Sequence, residues 1–200
     1  MKILTPISHL FSDIQSSLSI INNSDFFEAR ERTSGLRIKD TTHYHIDFDL
    51  NIGLREDQID FLRNHVRNRS EINTLTFQAS RDCESVELKN QKYYPKSPPL
   101  SLIDQLANTR KSLKIIQDIV GSHRHIGIEN NNYYDTGAYD ICTSVAYLSA
   151  VLDGTCLHLL FDIAHAKVTS TNRSLDFDNY TDSLMSSGKC RQIHVCQPCA

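Results

Sequence analysis

Three apolar runs in the second half of the sequence each end in an ionisable side chain. Glu129, Asp162 and His194 stand at these three ends. If the runs are adjacent parallel strands, their carboxyl ends meet at one rim and the three side chains converge there. Two carboxylates and a neutral imidazole form an oxygen–nitrogen site that suits Mn, Fe, Co, Zn or Mg. The sequence therefore predicts a divalent metal site with these three residues as ligands.

Two earlier runs add ionisable groups to the same predicted rim. Glu28 ends one run, and segment 43–49 alternates between ionisable and apolar residues. In a strand, this alternation places two histidines and two aspartates on one face. A buried row of four ionisable groups is costly unless its members are paired or bound to metal. Glu28 and His45 are therefore further candidate ligands, and His45 and Asp47 are predicted to face the interior.

Each of these residues also has a simpler structural interpretation. Asp162 could cap the helix that follows its strand, as carboxylates at such positions often do. His194 could be a hydrogen-bonded core histidine, and segment 43–49 could be an amphipathic strand with a solvated face. A one-residue slip in that strand would exchange its two faces. The metal-site hypothesis depends on the joint pattern at three successive strand ends.

The apolar runs alternate with segments of helical periodicity. Predicted strands cover 2–7, 25–30, 43–50, 74–78, 125–129, 157–163 and 192–196, and predicted helices cover 10–21, 56–67, 102–120, 139–152 and 178–185. Alternating strands and helices favour an α/β fold with a parallel sheet and helical crossovers. No glycine-rich phosphate loop follows a strand, which disfavours a nucleotide-binding sheet. Segment 90–99, with its prolines, is predicted to be an excursion or lid.

Length and composition indicate one soluble α/β domain spanning residues 1–200. The 21 basic and 24 acidic residues give a net charge of −3, which disfavours a nucleic-acid partner. No apolar run approaches the ~20 residues that cross a membrane, and we expect a cytoplasmic protein. The six cysteines are too sparse for a disulfide scaffold, and the Cys196–Cys199 pair is expected to consist of ordinary thiols.

The strand-end motifs resemble those of the xylose-isomerase-like TIM barrels. This superfamily includes sugar isomerases and epimerases, AP endonucleases and multinuclear non-haem iron-dependent oxidases. Glu129, followed by asparagines and a tyrosine, is similar to the superfamily's fifth-strand element. Segment 162–165 is similar to its Asp-x-x-His element, and His194 to its seventh-strand histidine. The resemblance implies a (β/α) TIM-like barrel in which these residues bind metal and His165 contacts the substrate or a second metal.

The sequence departs from this pattern at two places. The superfamily closes its barrel with an eighth strand, which supplies a glutamate ligand in the sugar enzymes, whereas only seven strands are predicted here. We therefore expect a barrel that is C-terminally incomplete, and either open, part of a longer chain, or completed by a partner or a homo-oligomer. The iron oxidases carry a histidine at the end of the fourth strand where this sequence has residues 78–81, Gln-Ala-Ser-Arg, although His45 matches their third-strand histidine.

The resemblance implies an enzyme, and the leading hypothesis is a metal-dependent sugar or sugar-phosphate isomerase or epimerase. Its reaction would be proton transfer beside a carbonyl, with Glu129 and His165 as catalytic residues. Gln78, Arg81 and Asn131 are the candidate contacts to a small-molecule substrate. Three alternatives stay open: an iron-dependent oxidase acting on a peptide, a metal-dependent phosphodiesterase, and a non-enzymatic barrel remnant that binds a partner.

Overall fold

The computed structural model describes residues 2–7, 11, 13–33 and 38–195. Its main sheet has seven parallel strands in the order β1-β2-β3-β4-β7-β8-β9. The strands are β1 Leu4–Pro6, β2 Phe26–Arg30, β3 Thr41–Asp49, β4 Thr74–Gln78, β7 His125–Glu129, β8 His158–Asp162 and β9 Cys190–His194. All seven overlap predicted strands, because the sequence marks most of them as short apolar or alternating runs bounded by turn residues. Strand β9 begins two residues before its predicted start at 192.

The sheet curls so that its two edge regions approach each other across the interior. Gln192 on β9 donates a hydrogen bond of 2.7 Å from its Nε2 to Glu28 Oε2 on β2. Within the described residues, no eighth strand joins β9 to β1. The fold is therefore a TIM-like barrel in which seven strands are present, as the sequence predicted.

Helices cover the outer face of the sheet. They are α1 Ile14–Asn22, α2 Glu56–Phe61, α3 Leu102–Val120, α4 Val145–Gly154, α5 Ile163–Asn172 and α6 Phe177–Met185. A π-helical segment, Leu62–Val66, extends α2. The predicted bounds of α3 are correct because Ser101 caps its N-terminus and Gly121, at φ 89°, ends it. No helix among the described residues has the length and apolar character to span a bilayer.

Two helix predictions were inaccurate, and one helix was not predicted. Helix α4 begins at Val145 instead of residue 139, because the preceding turn is held by bonds from two backbone N–H groups to Asp82. Helix α5 was missed, since its buried side chains are small and leave no apolar periodicity. In α1, Leu18 and Ile21 lie on the apolar face that the helical spacing of segment 10–21 indicates, yet both side chains are exposed. The helix follows β1, which is an edge strand of the sheet.

Strand β3 turns its aromatic face to the helices and His45 to the interior. Tyr44 and Phe48 pack against Phe61 with ring centroids 6.3 Å and 5.6 Å apart. The opposite face carries His45, which is fully buried, and Asp47, whose side chain lies at the exposed rim. The facing predicted for His45 is therefore confirmed, whereas Asp47 shares that face but is open to solvent.

An antiparallel hairpin, β5 Val86–Lys89 and β6 Lys92–Pro95, forms a separate two-stranded sheet. Its turn residues Asn90 and Gln91 have φ values of 50° and 61°, the left-handed conformation typical of a tight two-residue hairpin turn. The sequence indicated an excursion at 90–99 but not this strand pairing, because the hairpin strands are polar and half-exposed.

Candidate metal centre

The three residues that end the last three strands of the barrel lie together at the carboxyl rim. Glu129 and Asp162 are each 3% exposed. His194 Nδ1 lies 3.2 Å from Glu129 Oε1 and 3.8 Å from Asp162 Oδ2. Parallel register explains the meeting, since Asp162 is the β8 partner of His194 on β9. These distances are short enough for the three side chains to share one ion after small rotations.

Glu28 and His45 reach the same cluster from the other side of the barrel. His194 Nε2 lies 3.3 Å from Glu28 Oε2, and His45 Nε2 lies 3.5 Å from Glu129 Oε2. Glu129 therefore turns one oxygen towards His194 and the other towards His45. All five candidate ligands named from the sequence converge on one buried volume.

His165 adds a third imidazole from the first turn of α5. Its Nδ1 lies 2.8 Å from the carbonyl oxygen of Asn130 and 3.9 Å from Glu129 Oε1. Ligand atoms of Glu129, Asp162 and His165 all lie within 4.8 Å of one another. Asp162 also caps α5, because its Oδ1 accepts a hydrogen bond of 2.9 Å from the backbone N–H of His165. The capping role and the place in the cluster are thus compatible, since they use different oxygens.

The carboxylates of the cluster stay ionised because basic side chains lie beside them. Burial alone would lower the pKa of His194, but hydrogen bonds to Glu129 and Glu28 outweigh it and raise that pKa to about 9. Burial opposes ionisation of Glu28, yet its bond to His194 and the charge of Arg30 hold its pKa at about 2. Burial likewise opposes ionisation of Glu129, whose pKa is lowered by His194 and His45. Buried carboxylates that stay ionised beside imidazoles are the donor set that divalent metals prefer.

The sequence analysis did not identify two further residues that contact the cluster. Arg30 lies 2.9 Å from Glu28 Oε1, and Gln192 donates to Glu28 and lies 3.2 Å from His194 Nε2. Each stands two residues from a candidate ligand on the same strand. The period-two rule that selected segment 43–49 would have found both.

The three predicted substrate contacts occupy different places. Gln78 donates to Asp47 Oδ1 at 3.0 Å and lies 3.1 Å from His45 Nε2, so it borders the cluster. Asn131 is buried beside Glu129 and lines the cavity described below. Arg81 does not reach the cluster. Its guanidinium pairs with Asp49 at 3.3 Å and lines a separate cavity near α3, because a register irregularity between His45 and Asp49 carries that carboxylate away.

A cavity of about 860 Å³ opens over the rim next to the cluster. Gln78, Asn131 and His165 line its inner part, the β5–β6 hairpin forms one wall, and α5 forms another. The cavity therefore connects one edge of the cluster to solvent, and it is large enough for a small polar molecule.

No protein-family model and no curated protein sequence matches the chain. Solved structures do match it. The crystal structure of 3-keto-D-glucoside 4-epimerase from E. coli has a TM-score of 0.56 at 16% identity, over 96% of this chain and 90% of that one. The crystal structure of D-psicose 3-epimerase has a TM-score of 0.61 at 13% identity, over 97% of this chain and 72% of that one. The crystal structure of endonuclease IV from Thermus thermophilus has a TM-score of 0.56 at 10% identity, over 97% of this chain and 76% of that one. The chain therefore has the fold of the xylose-isomerase-like TIM barrels.

Proposed function

We propose that the chain is a divalent-metal-dependent enzyme whose metal site is the cluster at the carboxyl rim. The observation that carries this proposal is the convergence of three carboxylates and three imidazoles in one buried volume. Buried carboxylates are costly unless they are paired or bound to metal, and a metal ion bound here would take the place of the proton on His194. Glu129, Asp162 and His194 are the proposed ligands, and Glu28, His45 and His165 stand close enough to join them.

The proposed reaction is isomerisation or epimerisation of a sugar or related polyol by proton transfer beside a carbonyl. A divalent ion bound here would polarise the carbonyl and hydroxyl oxygens of the substrate. The polar cavity supports a hydroxyl-rich substrate, and several proteins with this fold are sugar epimerases. We still expect the protein to be cytoplasmic and residues 1–200 to form a single domain.

His165 is the proposed proton-transfer residue. A backbone carbonyl can only accept a hydrogen bond, so the 2.8 Å contact with Asn130 requires His165 Nδ1 to carry the proton. With that tautomer, Nε2 is the ring nitrogen that can accept a proton, and the side chain lines the cavity. Glu129, held ionised beside it, is the second proposed catalytic group.

One observation favours a second candidate, a multinuclear iron-dependent oxidase. The cluster offers more donors than one ion needs, and the two oxygens of Glu129 face different histidines. A carboxylate in that position could bridge two ions, with Glu28 and His45 completing the second set. Two imidazoles with one carboxylate are typical of non-haem iron sites.

Elemental analysis of protein purified without chelators or an affinity metal separates these candidates. About one divalent ion per chain is expected for the isomerase or epimerase, and two or more irons would favour the oxidase. Three zincs would favour a phosphodiesterase. Protein that binds no metal, either as purified or after addition of Mn, Fe, Co, Zn or Mg, would refute the proposal and leave a partner-binding barrel remnant.

Proton transfer is tested separately by incubating metal-loaded protein with ketoses and aldoses in deuterium oxide. Incorporation of deuterium beside the carbonyl is expected for the wild type, and its loss without loss of metal is expected for His165→Gln. Full incorporation by His165→Gln would remove this residue from the proposed reaction.

A further inference from the structure

The cavity over the rim is lined by cations and by no carboxylate. Its charged lining residues are Lys92 from the hairpin and Lys167 from α5, and the imidazole of His165 lies at the same cavity. No aspartate or glutamate lines it within the described part of the chain. A concave site with one sign of charge concentrates ligands of the opposite sign.

The hairpin holds Lys92 in a defined place beside this cavity. The neighbouring Tyr93 is fixed by both backbone groups: its N–H donates to Tyr139 Oη at 2.6 Å, and its carbonyl accepts from Thr136 Oγ1 at 2.6 Å. Lys92 Nζ lies 4.9 Å from the centroid of the Tyr134 ring. The ammonium group is thus positioned by an anchored strand and an aromatic face instead of swinging freely at a loop tip.

Neither lysine of the cavity has a carboxylate partner among the described residues. Lys167 Nζ lies over the Phe177 ring at 5.1 Å, and it makes no ion pair within 4.0 Å there. By contrast, Lys89 in the same hairpin pairs with Glu87 at 3.0 Å, and Lys114 on α3 pairs with Asp118 at 3.0 Å. The two ammonium groups at the cavity therefore keep their capacity for an external anion.

We propose that the substrate carries a carboxylate or phosphate group, and that Lys92 and Lys167 bind this anion while the reacting end lies towards His165. The inference rests on the proposed function, because it names the substrate class of the same cavity. The two lysines take the place of Arg81, the cationic residue among the predicted substrate contacts, because Arg81 is paired with Asp49. The substrate is thus an acidic sugar or a sugar phosphate in preference to a neutral sugar.

Calorimetric titration of the metal-loaded protein with glucose, glucuronate and glucose 6-phosphate tests this inference. The three probes share one scaffold and differ in the anion. One charge-assisted contact corresponds to roughly a tenfold change in affinity, so at least one anionic probe should bind ~10-fold or more tightly than glucose. Whichever of glucuronate and glucose 6-phosphate binds more tightly shows whether the site prefers a carboxylate or a phosphate. Raising the ionic strength should weaken anion binding and leave glucose binding unchanged.

Lys92→Gln and Lys167→Gln should each reduce anion affinity about tenfold, with glucose affinity and the unfolding midpoint unchanged. Lys92→Arg should preserve the anion preference. Lys114→Gln is the matched control on a surface helix and should change none of these affinities. Three probes of equal affinity, or an intact preference in the Lys92→Gln/Lys167→Gln double variant, would overturn the inference.

Metal content measured on the same samples separates this inference from the proposed function. Bound metal without an anion preference would overturn the substrate class and leave the metal enzyme standing. An anion preference that depends on the two lysines in protein that binds no metal would support the anion site and refute the metal enzyme.

Discussion

Replacing Asp162 tests whether one side chain both caps α5 and binds metal. Its Oδ1 accepts the hydrogen bond from His165 N–H at 2.9 Å, whereas its Oδ2 faces His194 Nδ1 at 3.8 Å. Asp162→Asn keeps an oxygen for the cap and removes the charge. Asp162→Ala removes both. The two variants therefore separate the capping contribution from the metal contribution.

The substitutions should have a small effect on the unfolding midpoint and a large effect on metal affinity. Loss of an N-cap costs about 1 kcal/mol, which corresponds to roughly 2–4 °C in the unfolding midpoint of a domain of this size. With excess chelator, Asp162→Ala should unfold at a temperature lower than Asp162→Asn by that amount. Both variants should lose metal, with affinity reduced more than about 100-fold, because even outer-shell partners contribute 10- to 100-fold.

Asp176→Ala is the matched control for the capping effect. Asp176 caps α6 in the same way, since its Oδ1 accepts from Asn179 N–H at 2.9 Å, but it belongs to an exposed helix end outside the cluster. This variant should lose about 1 kcal/mol of stability and retain full metal content. Wild-type metal content in Asp162→Asn would refute its role as a ligand. Equal midpoints for the alanine and asparagine variants in chelator would refute its role as a cap.

Three further predictions concern the scaffold around the centre. Burial, together with the nearby charge of Arg191, lowers the pKa of His158 to about 4. The free energy of unfolding should therefore fall by up to about 3 kcal/mol as the pH drops from 6.5 to 4. Urea titrations of His158→Gln should show a weaker dependence on pH. Gly127→Ala would place a Cβ 2.5 Å from the His158 ring and should cost about 1–3 kcal/mol of unfolding free energy, whereas an unchanged value would contradict the close packing. Tyr139→Phe removes the acceptor of Tyr93 N–H and should speed proteolysis within the hairpin, and equal cleavage rates would show that the anchor is dispensable.

Local sequence patterns were sufficient to predict most of the barrel strands and the residues at their ends. Most strands are short apolar or alternating runs, and Glu129 and Asp162 end such runs directly. Strand β9 has only Ile193 before His194, and its predicted bounds were two residues late. Helix α3 was predicted with correct bounds because apolar periodicity, a serine cap and a terminal glycine agree. Helix α5 and the β5–β6 hairpin were missed, since neither carries the apolar periodicity that burial against a core produces.

Long-range contacts decided the parts of the centre that periodicity could not reach. The sequence marks Arg81 as a substrate contact by its position after β4, but the irregular register of β3 places Asp49 beside it and draws it into another cavity. The link between Gln192 and Glu28 joins residues 164 positions apart, and it exists because the sheet curls. Residue type and spacing thus determined which groups could do chemistry. Strand order, register and curvature determined which of them meet, because those depend on packing across the whole sheet.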